Sequence, residues 1–441
     1  MREGFLERTF GIRAAGSTPG REALGGLATF LTMAYILFVN PVILQAGGMP
    51  LAGAIAATAI SAGIGTLLMG LLANYPVALA PGMGLNAFFS YGICIGAGVP
   101  WQTALGIVFW TGVLFVLLTW VGARAFLVRS VPRVLTRAGA VGIGLFIAFI
   151  GLQQGGLIRA DPNTLVALAP LSSRAALLSL FGLAVTLVLF ARGVKTAIFW
   201  GLLAGIGAAL ATGAVPLPHE IARVPRFDLP GFEIDLWGAL SWRYLPLILT
   251  TLFFTLFDTL GTLLAIGHQA GLAGSSGELP RLDRALSADA AGMMTGALVG
   301  TSAVTSYIES GAGVAAGART GFANVVTGAL LFGSLVFSPL VEVVGLGVDG
   351  HYPITAPALV LVGILMMGAV REIDWSEPSE AAPAFLTAVL MPLTFNIAHG
   401  LAAGFIAYPI AKAAAGKSRE IHPALWGLAL LLVLRYALLP L

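Results

Sequence analysis

From Ala23 to Ala123 the chain runs for 101 residues without a charged side chain. Such a stretch has no solvated face to offer water, whereas a helix that crosses a bilayer needs about 20 apolar residues in succession. The run therefore reads as about four membrane crossings. The remainder follows suit: of 441 residues, 58% are hydrophobic and only 10% charged, against roughly 25% charged in a soluble domain. The expected fold class is an all-α polytopic membrane protein. Because lipid cannot satisfy backbone N–H and C=O groups, any interruption of a helix at membrane depth must be covered by protein or line a cavity.

Two interruptions stand out. NYPVALAPGMGLNAFFSYGICIGAG, Asn74–Gly98, is too rich in Gly and Pro for one unbroken helix and holds Asn86 at its middle. TSAVTSYIESGAGVAAGARTG, Thr301–Gly321, is broken in the same way around Glu309, and each interruption follows a glycine-rich run, Gly63–Gly70 and Gly292–Gly300. Both are third in their half. Seven apolar runs precede the longest polar loop, and seven follow if Ala381–Ala411 is one long or broken element; this count of 14 is preferred, although it leaves Lys412, Lys417 and Arg419 on the face opposite the other basic loops. An odd number per half requires the second half to insert upside down, the arrangement in which paired broken helices build a site near the midplane. The expected division is a first repeat over 1–218, an extracytoplasmic loop over 219–241 and an inverted repeat over 242–441.

Arg2, Arg8, Arg13 and Arg21 at the N-terminus and Arg124, Arg129, Arg133 and Arg137 in the loop after the fourth run place both on the cytoplasmic side of a multi-pass cell-membrane protein. The N-terminal segment has no short apolar core with a small-residue cleavage site, so no signal peptide is expected. The net charge of +3 arises from these short loops, which argues against nucleic acid, and the single cysteine, Cys94, excludes an internal disulfide.

Of the acids in apolar runs, Glu309 and Asp258 lie well inside predicted spans, while Asp289 and Glu342 lie nearer the ends of theirs and read as structural. A charge at the bilayer centre costs at least about 2.5–3.5 kcal/mol, so an acid there calls for a function. On a helix Thr255, Asp258, Thr259 and Thr262 share one stripe. Facing Glu309 and Asn86, this stripe would build a cavity of carboxylates, hydroxyls and an amide, suited to a small planar solute with several N–H and C=O groups. GAGVAAG at Gly311–Gly317 lacks the spacing of a dinucleotide loop, the five histidines are scattered, with His399 read as structural, and no catalytic or ATP-binding pattern is present. No enzyme, metal or cofactor is expected.

LATFLTMAYILFVNP (Leu27–Pro41), APGMGLNAFF (Ala80–Phe89), FDTLGTL (Phe257–Leu263), RALSADA (Arg284–Ala290) and TSYIESGAGVAAGARTG (Thr305–Gly321) together resemble the azaguanine-resistance-type purine permeases, a branch of the nucleobase-cation symporter 2 family. The resemblance implies 14 spans in two inverted repeats. It also implies a core (spans 1–4 and 8–11, about 22–123 and 243–341) moving against a gate (spans 5–7 and 12–14, about 138–217 and 354–441), with proton-coupled uptake of adenine, guanine or hypoxanthine. It makes Glu309 the acid that hydrogen-bonds the base, Asn86 the amide of the third span, and Asp258 the acid of the eighth, with Glu309 and Asp258 both candidates for proton coupling and Thr255 a secondary contact. One departure concerns Thr255, which stands where many members carry a second acid; which base is preferred therefore stays open. The expected partners are a purine base, a proton and the bilayer; a homodimer is compatible with this, and the sequence does not fix the oligomeric state. Uracil, xanthine or another small solute on the same fold, and a membrane purine sensor or enzyme, are the alternative readings.

Overall fold

The computed structural model describes residues 5–122, 132–218, 220–224, 228–273 and 279–438; Arg2, Arg124, Arg129 and His219 lie outside the described residues. After a short helix α1 (Phe5–Phe10), Thr18 begins the first long apolar segment: its hydroxyl accepts from Arg21 N at 3.3 Å and Pro19 takes the first helical position, where a missing N–H costs nothing. The segment is α2 (Pro19–Met33) and α3 (Ile36–Ala46), separated by Ala34 and Tyr35. Next come α4 (Leu51–Leu68), strand β1 (Leu79–Pro81), α5 (Met83–Ala87, prolonged as a wider helix to Gly96) and α6 (Trp101–Trp120). A second group follows: α7 (Arg133–Gln154), the hairpin β2 (Ile158–Asp161) and β3 (Leu165–Leu168), α8 (Arg174–Ala191) and α9 (Ala197–Ala211).

The second half repeats this order. It has α10 (Leu245–Gln269), α11 (Leu282–Val299), β4 (Val304–Ser306), α12 (Ser310–Ala315), α13 (Phe322–Gly333) and α14 (Ser338–Gly345), then α15 (Ala356–Met366), α16 (Pro378–Leu393), α17 (Ile397–Ala414) and α18 (Pro423–Leu438). Among the described residues eight helical stretches are long and apolar enough to cross a membrane.

The two third segments meet head on. β1 and β4 pair antiparallel with Leu79 opposite Ser306, Ala80 opposite Thr305 and Pro81 opposite Val304. The glycine-rich runs make room for them: a Cβ on Gly65 of α4 would come within 3.1 Å of Val304 Cγ1, and one on Gly292 of α11 within 3.0 Å of Leu79 Cδ2. Around this crossing α11 packs on α4 and α6, and α13 on α2 and α4; in the other bundle α7 packs on α15, α16 and α17, and α8 on α9 and α15.

Over Ala381–Ala411 the structure corrects the preferred single element. There are two helices, α16 and α17, lying side by side. The turn follows from local chemistry: Phe395 adopts a positive φ of 52°, and the Asn396 side chain caps α17 by accepting from Ala398 N at 2.9 Å. The hairpin returns Lys412 to Glu380 (3.0 Å) and Lys417 to Glu377, at the end of the bundle where Arg137 pairs with Glu372 (3.0 Å). Lys412 and Lys417 thus lie toward the end of the bundle that carries Arg137. Lys417 and Ser379 hold the Glu377 carboxyl down to about 2. The seventh element of the second half is α17, and α18 lies beyond it, packed on α17.

The described part of the polar loop before α10 is fastened to α6. Asp235 N donates to Gln102 O (3.1 Å), Thr103 donates to the Asp235 carboxylate (3.0 Å), and Trp110 Nε1 donates to Leu236 O (2.8 Å).

Candidate functional site

A cavity of about 590 Å³ lies between the β1–β4 crossing with α10 on one side and α7, α15 and α17 on the other. Its walls are largely apolar, with Met83, Ile143, Phe253, Phe257, Met366 and Phe405 among them, and its polar groups are few: Asp258, Thr262, Thr305, Ser306, Tyr35, Tyr307 and Glu309. That mixture is typical of small-molecule sites. Toward one end it reaches Thr136, Arg137, Ala369 and Glu372. Outside this lining, Tyr91 sits edge-on to Phe146 and Phe395, with centroids 6.4 and 5.4 Å away, and accepts at its hydroxyl from Gln154 Nε2 (2.6 Å).

Glu309 stands at the break between β4 and α12. Its side chain makes no cap bond to α12; instead its Oε1 accepts from the Tyr35 hydroxyl at 2.6 Å. Arg319, the nearest cation in sequence, turns away and donates to Val314 O (2.7 Å) and Ala318 O (2.6 Å). The turn after α12 is tied to α2 by the fully buried Glu22, whose carboxylate accepts from Arg319 N (2.9 Å) and Thr320 N (3.1 Å).

Asp258 opens onto the same cavity. Behind it runs a chain of short-range polar contacts: Thr305 Oγ1 lies 3.4 Å from Asp258 Oδ2 and 3.0 Å from Thr259 Oγ1, and Thr259 donates to Asp289 Oδ2 at 2.7 Å. Ser306 donates to the other oxygen of Asp289 at 2.7 Å. Two acids are thus joined through two hydroxyls, one acid on the cavity and one fully buried.

A family model described as the permease family matches residues 20–403. The chain belongs to the xanthine/uracil permease family. Guanine/hypoxanthine permease PbuG of Bacillus subtilis is 45% identical over 98% of this chain and 100% of its own length. Adenine permease AdeP of Escherichia coli is 38% identical over 98% of this chain and 96% of its own. Among solved structures, the transmembrane domain of the cyanobacterium bicarbonate transporter BicA superposes with a TM-score of 0.65 at 14% identity, covering 87% of this chain and 97% of that one, a likeness of fold. The protein is a multi-pass membrane permease, a transporter and not an enzyme.

In this permease the four residues singled out by sequence part company. Glu309 and Asp258 line the cavity. Asn86 does not: it is fully buried, and its Nδ2 donates to Asn40 Oδ1 (3.0 Å), whose own amide donates to Thr58 (2.7 Å) and Thr301 (2.9 Å). Thr255 is also fully buried, its hydroxyl donating to Thr251 O at 2.9 Å. The polar stripe of α10 is therefore divided, with Asp258 and Thr262 on the cavity and Thr255 and Thr259 packed behind its wall. Glu342 pairs with Arg223 away from the site, as a structural acid would, and His399 lies edge-on to Tyr436, with ring centroids 5.8 Å apart. Sequence reasoning missed Tyr35 and Thr305, and it treated Asp289 as structural. The only signal for Asp289 was its place inside the RALSADA motif; Tyr35 gave none beyond its motif.

Proposed function

We propose that this permease imports purine nucleobases by proton symport across the cell membrane, with its N-terminus in the cytoplasm. The observation that carries this reading is the pair of carboxylates, Glu309 and Asp258, on one apolar cavity beside the strand crossing. The relatives named for guanine/hypoxanthine and adenine support the choice of solute. Glu309 recognises the base, since a carboxylate or carboxylic acid matches the N–H and ring-nitrogen edges of a purine. Asp258 takes the proton. With the proton on Asp258, the donors run from Asp258 through Thr305 and Thr259 to Asp289; with it on Asp289, every donor reverses, and one proton has moved without leaving the protein.

Asn86 acts from behind, bracing the third segment against Asn40, and Thr255 acts through its helix. The bundle of about 22–123 and 243–341 is the core and that of about 138–217 and 354–441 the gate, the first moving against the second in the manner of an elevator. The end bearing Arg137 and Glu372 then faces the cytoplasm. Uptake of radiolabelled hypoxanthine or adenine tests the reading: it should collapse with a protonophore and with Glu309→Gln. Undiminished, proton-independent uptake by that variant would sink both the recognition and the coupling roles.

A further inference from the structure

The first segment is broken at the point where it passes Glu309. α2 ends at Met33, α3 begins at Ile36, and Tyr35 lies in the gap with 1% of its surface exposed. Its ring is immobilised by packing, while its hydroxyl is aimed at one atom, Glu309 Oε1, at 2.6 Å. One turn earlier Thr32, whose hydroxyl is already bonded to Ala28 O and Thr29 O, approaches the Glu309 carbonyl oxygen at 3.3 Å. The broken segment thus meets both the backbone and the side chain of the glutamate.

A free glutamate side chain samples three torsions, and here neither α12 nor Arg319 restrains it. A donor on a rigid phenol narrows that freedom. It also makes the two carboxyl oxygens unequal, since the phenol donates to Oε1 while the side chain lines the cavity. We infer that Tyr35 is a positioning residue for nucleobase binding: it fixes Glu309 so that Oε2 alone meets the base, as acceptor when ionised and as donor when protonated. This rests on the role given to Glu309 above. Preorganising one polar group in this way saves the ordering cost that the base would otherwise have to meet on binding.

The test is equilibrium binding of radiolabelled hypoxanthine to the purified full-length protein in detergent, together with uptake kinetics in proteoliposomes. Tyr35→Phe keeps the ring and deletes the donor. The Kd and the KM should each rise by about tenfold, the scale of a lost hydrogen bond to a charged group, while Vmax changes by less than about twofold and the melting temperature stays near that of the parent. A uniform loss of Vmax with unchanged KM would mark Tyr35 as merely structural and overturn the inference, as would unchanged binding by Tyr35→Phe where Glu309→Gln has lost it. If Glu309→Gln binds as tightly as the parent, the underlying role of Glu309 is what fails. Should Tyr35→Phe not fold, Glu309→Asp withdraws the carboxylate from the phenol by one methylene, and full affinity in that variant would equally refute the positioning role.

Discussion

Thr305→Val cuts the hydroxyl chain between the two acids at its longest link. The substitution is close to isosteric, and valine keeps the methyl that lies against Gly82, where even a Cβ would come within 2.7 Å of it. The fold should therefore survive. What is lost is the oxygen 3.4 Å from Asp258 and 3.0 Å from Thr259, so Asp258 loses its hydroxyl partner while Asp289 keeps both of its own. A hydrogen bond to a charged group contributes about 1.5–3 kcal/mol; with Asp258 open to the cavity and the contact at 3.4 Å the lower end applies, roughly tenfold in the equilibrium it controls. The assay compares two modes of the same proteoliposomes: accumulation of labelled hypoxanthine driven by an imposed inward pH gradient, and counterflow without one. Accumulation should fall at least fivefold and counterflow much less, with Thr305→Ser restoring both. If Thr305→Val accumulates like the parent, or loses both modes equally while remaining folded, the chain carries no proton and the reasoning is refuted.

Two further substitutions probe the surroundings. Asn86→Ala breaks the buried bond to Asn40 and should lower the melting temperature in detergent, with a cost of about 1–3 kcal/mol, while moving the Kd for hypoxanthine by no more than about twofold; a tenfold weaker Kd at unchanged stability would put Asn86 on the ligand instead. Tyr91→Ala removes two edge-on ring contacts, each about 0.5–1.5 kcal/mol, and the bond from Gln154. The melting temperature in detergent should fall, with a cost of about 1–3 kcal/mol from the two ring contacts, and an unchanged value would show that this cluster does not hold the extension of α5 against α7.

The membrane class and the two broken segments were legible because they rest on what lipid forbids: a 101-residue stretch without charge and Gly/Pro-rich interruptions leave few alternatives. The direction in which side chains point was less so. At about 100° per residue, the cavity-lining positions of α10, among them Phe253, Phe257, Asp258, Gly261 and Thr262, span about half of the helix circumference. Thr255 falls about 60° past Asp258 on the packed side. The exposed face of α10 is thus chiefly its aromatic one, with Asp258 inside it and Thr262 at the boundary, and a stripe of hydroxyls looks the same in sequence whether it lines a cavity or answers a buried acid. Asp289 was discounted for the same reason: its partners Thr259 and Ser306 lie 30 and 17 residues away, brought to it by the strand crossing. The helix hairpin over Ala381–Ala411 was obscured by continuity of apolar residues through a turn that needs only Phe395 and Asn396 to reverse the chain.

The loop tied down by Asp235 and Leu236 has a use beyond fastening. Trp237, 80% exposed, rides on α6 through that attachment, whereas Asn163 at the tip of the β2–β3 hairpin rides on α7 and α8. Each site reports on a different bundle, and replacing Cys94 leaves no other thiol in the sequence. A spin label at each position turns the molecule into its own ruler, in which the distance between two labels, read in frozen membranes, tests whether one bundle is displaced past the other without touching the cavity.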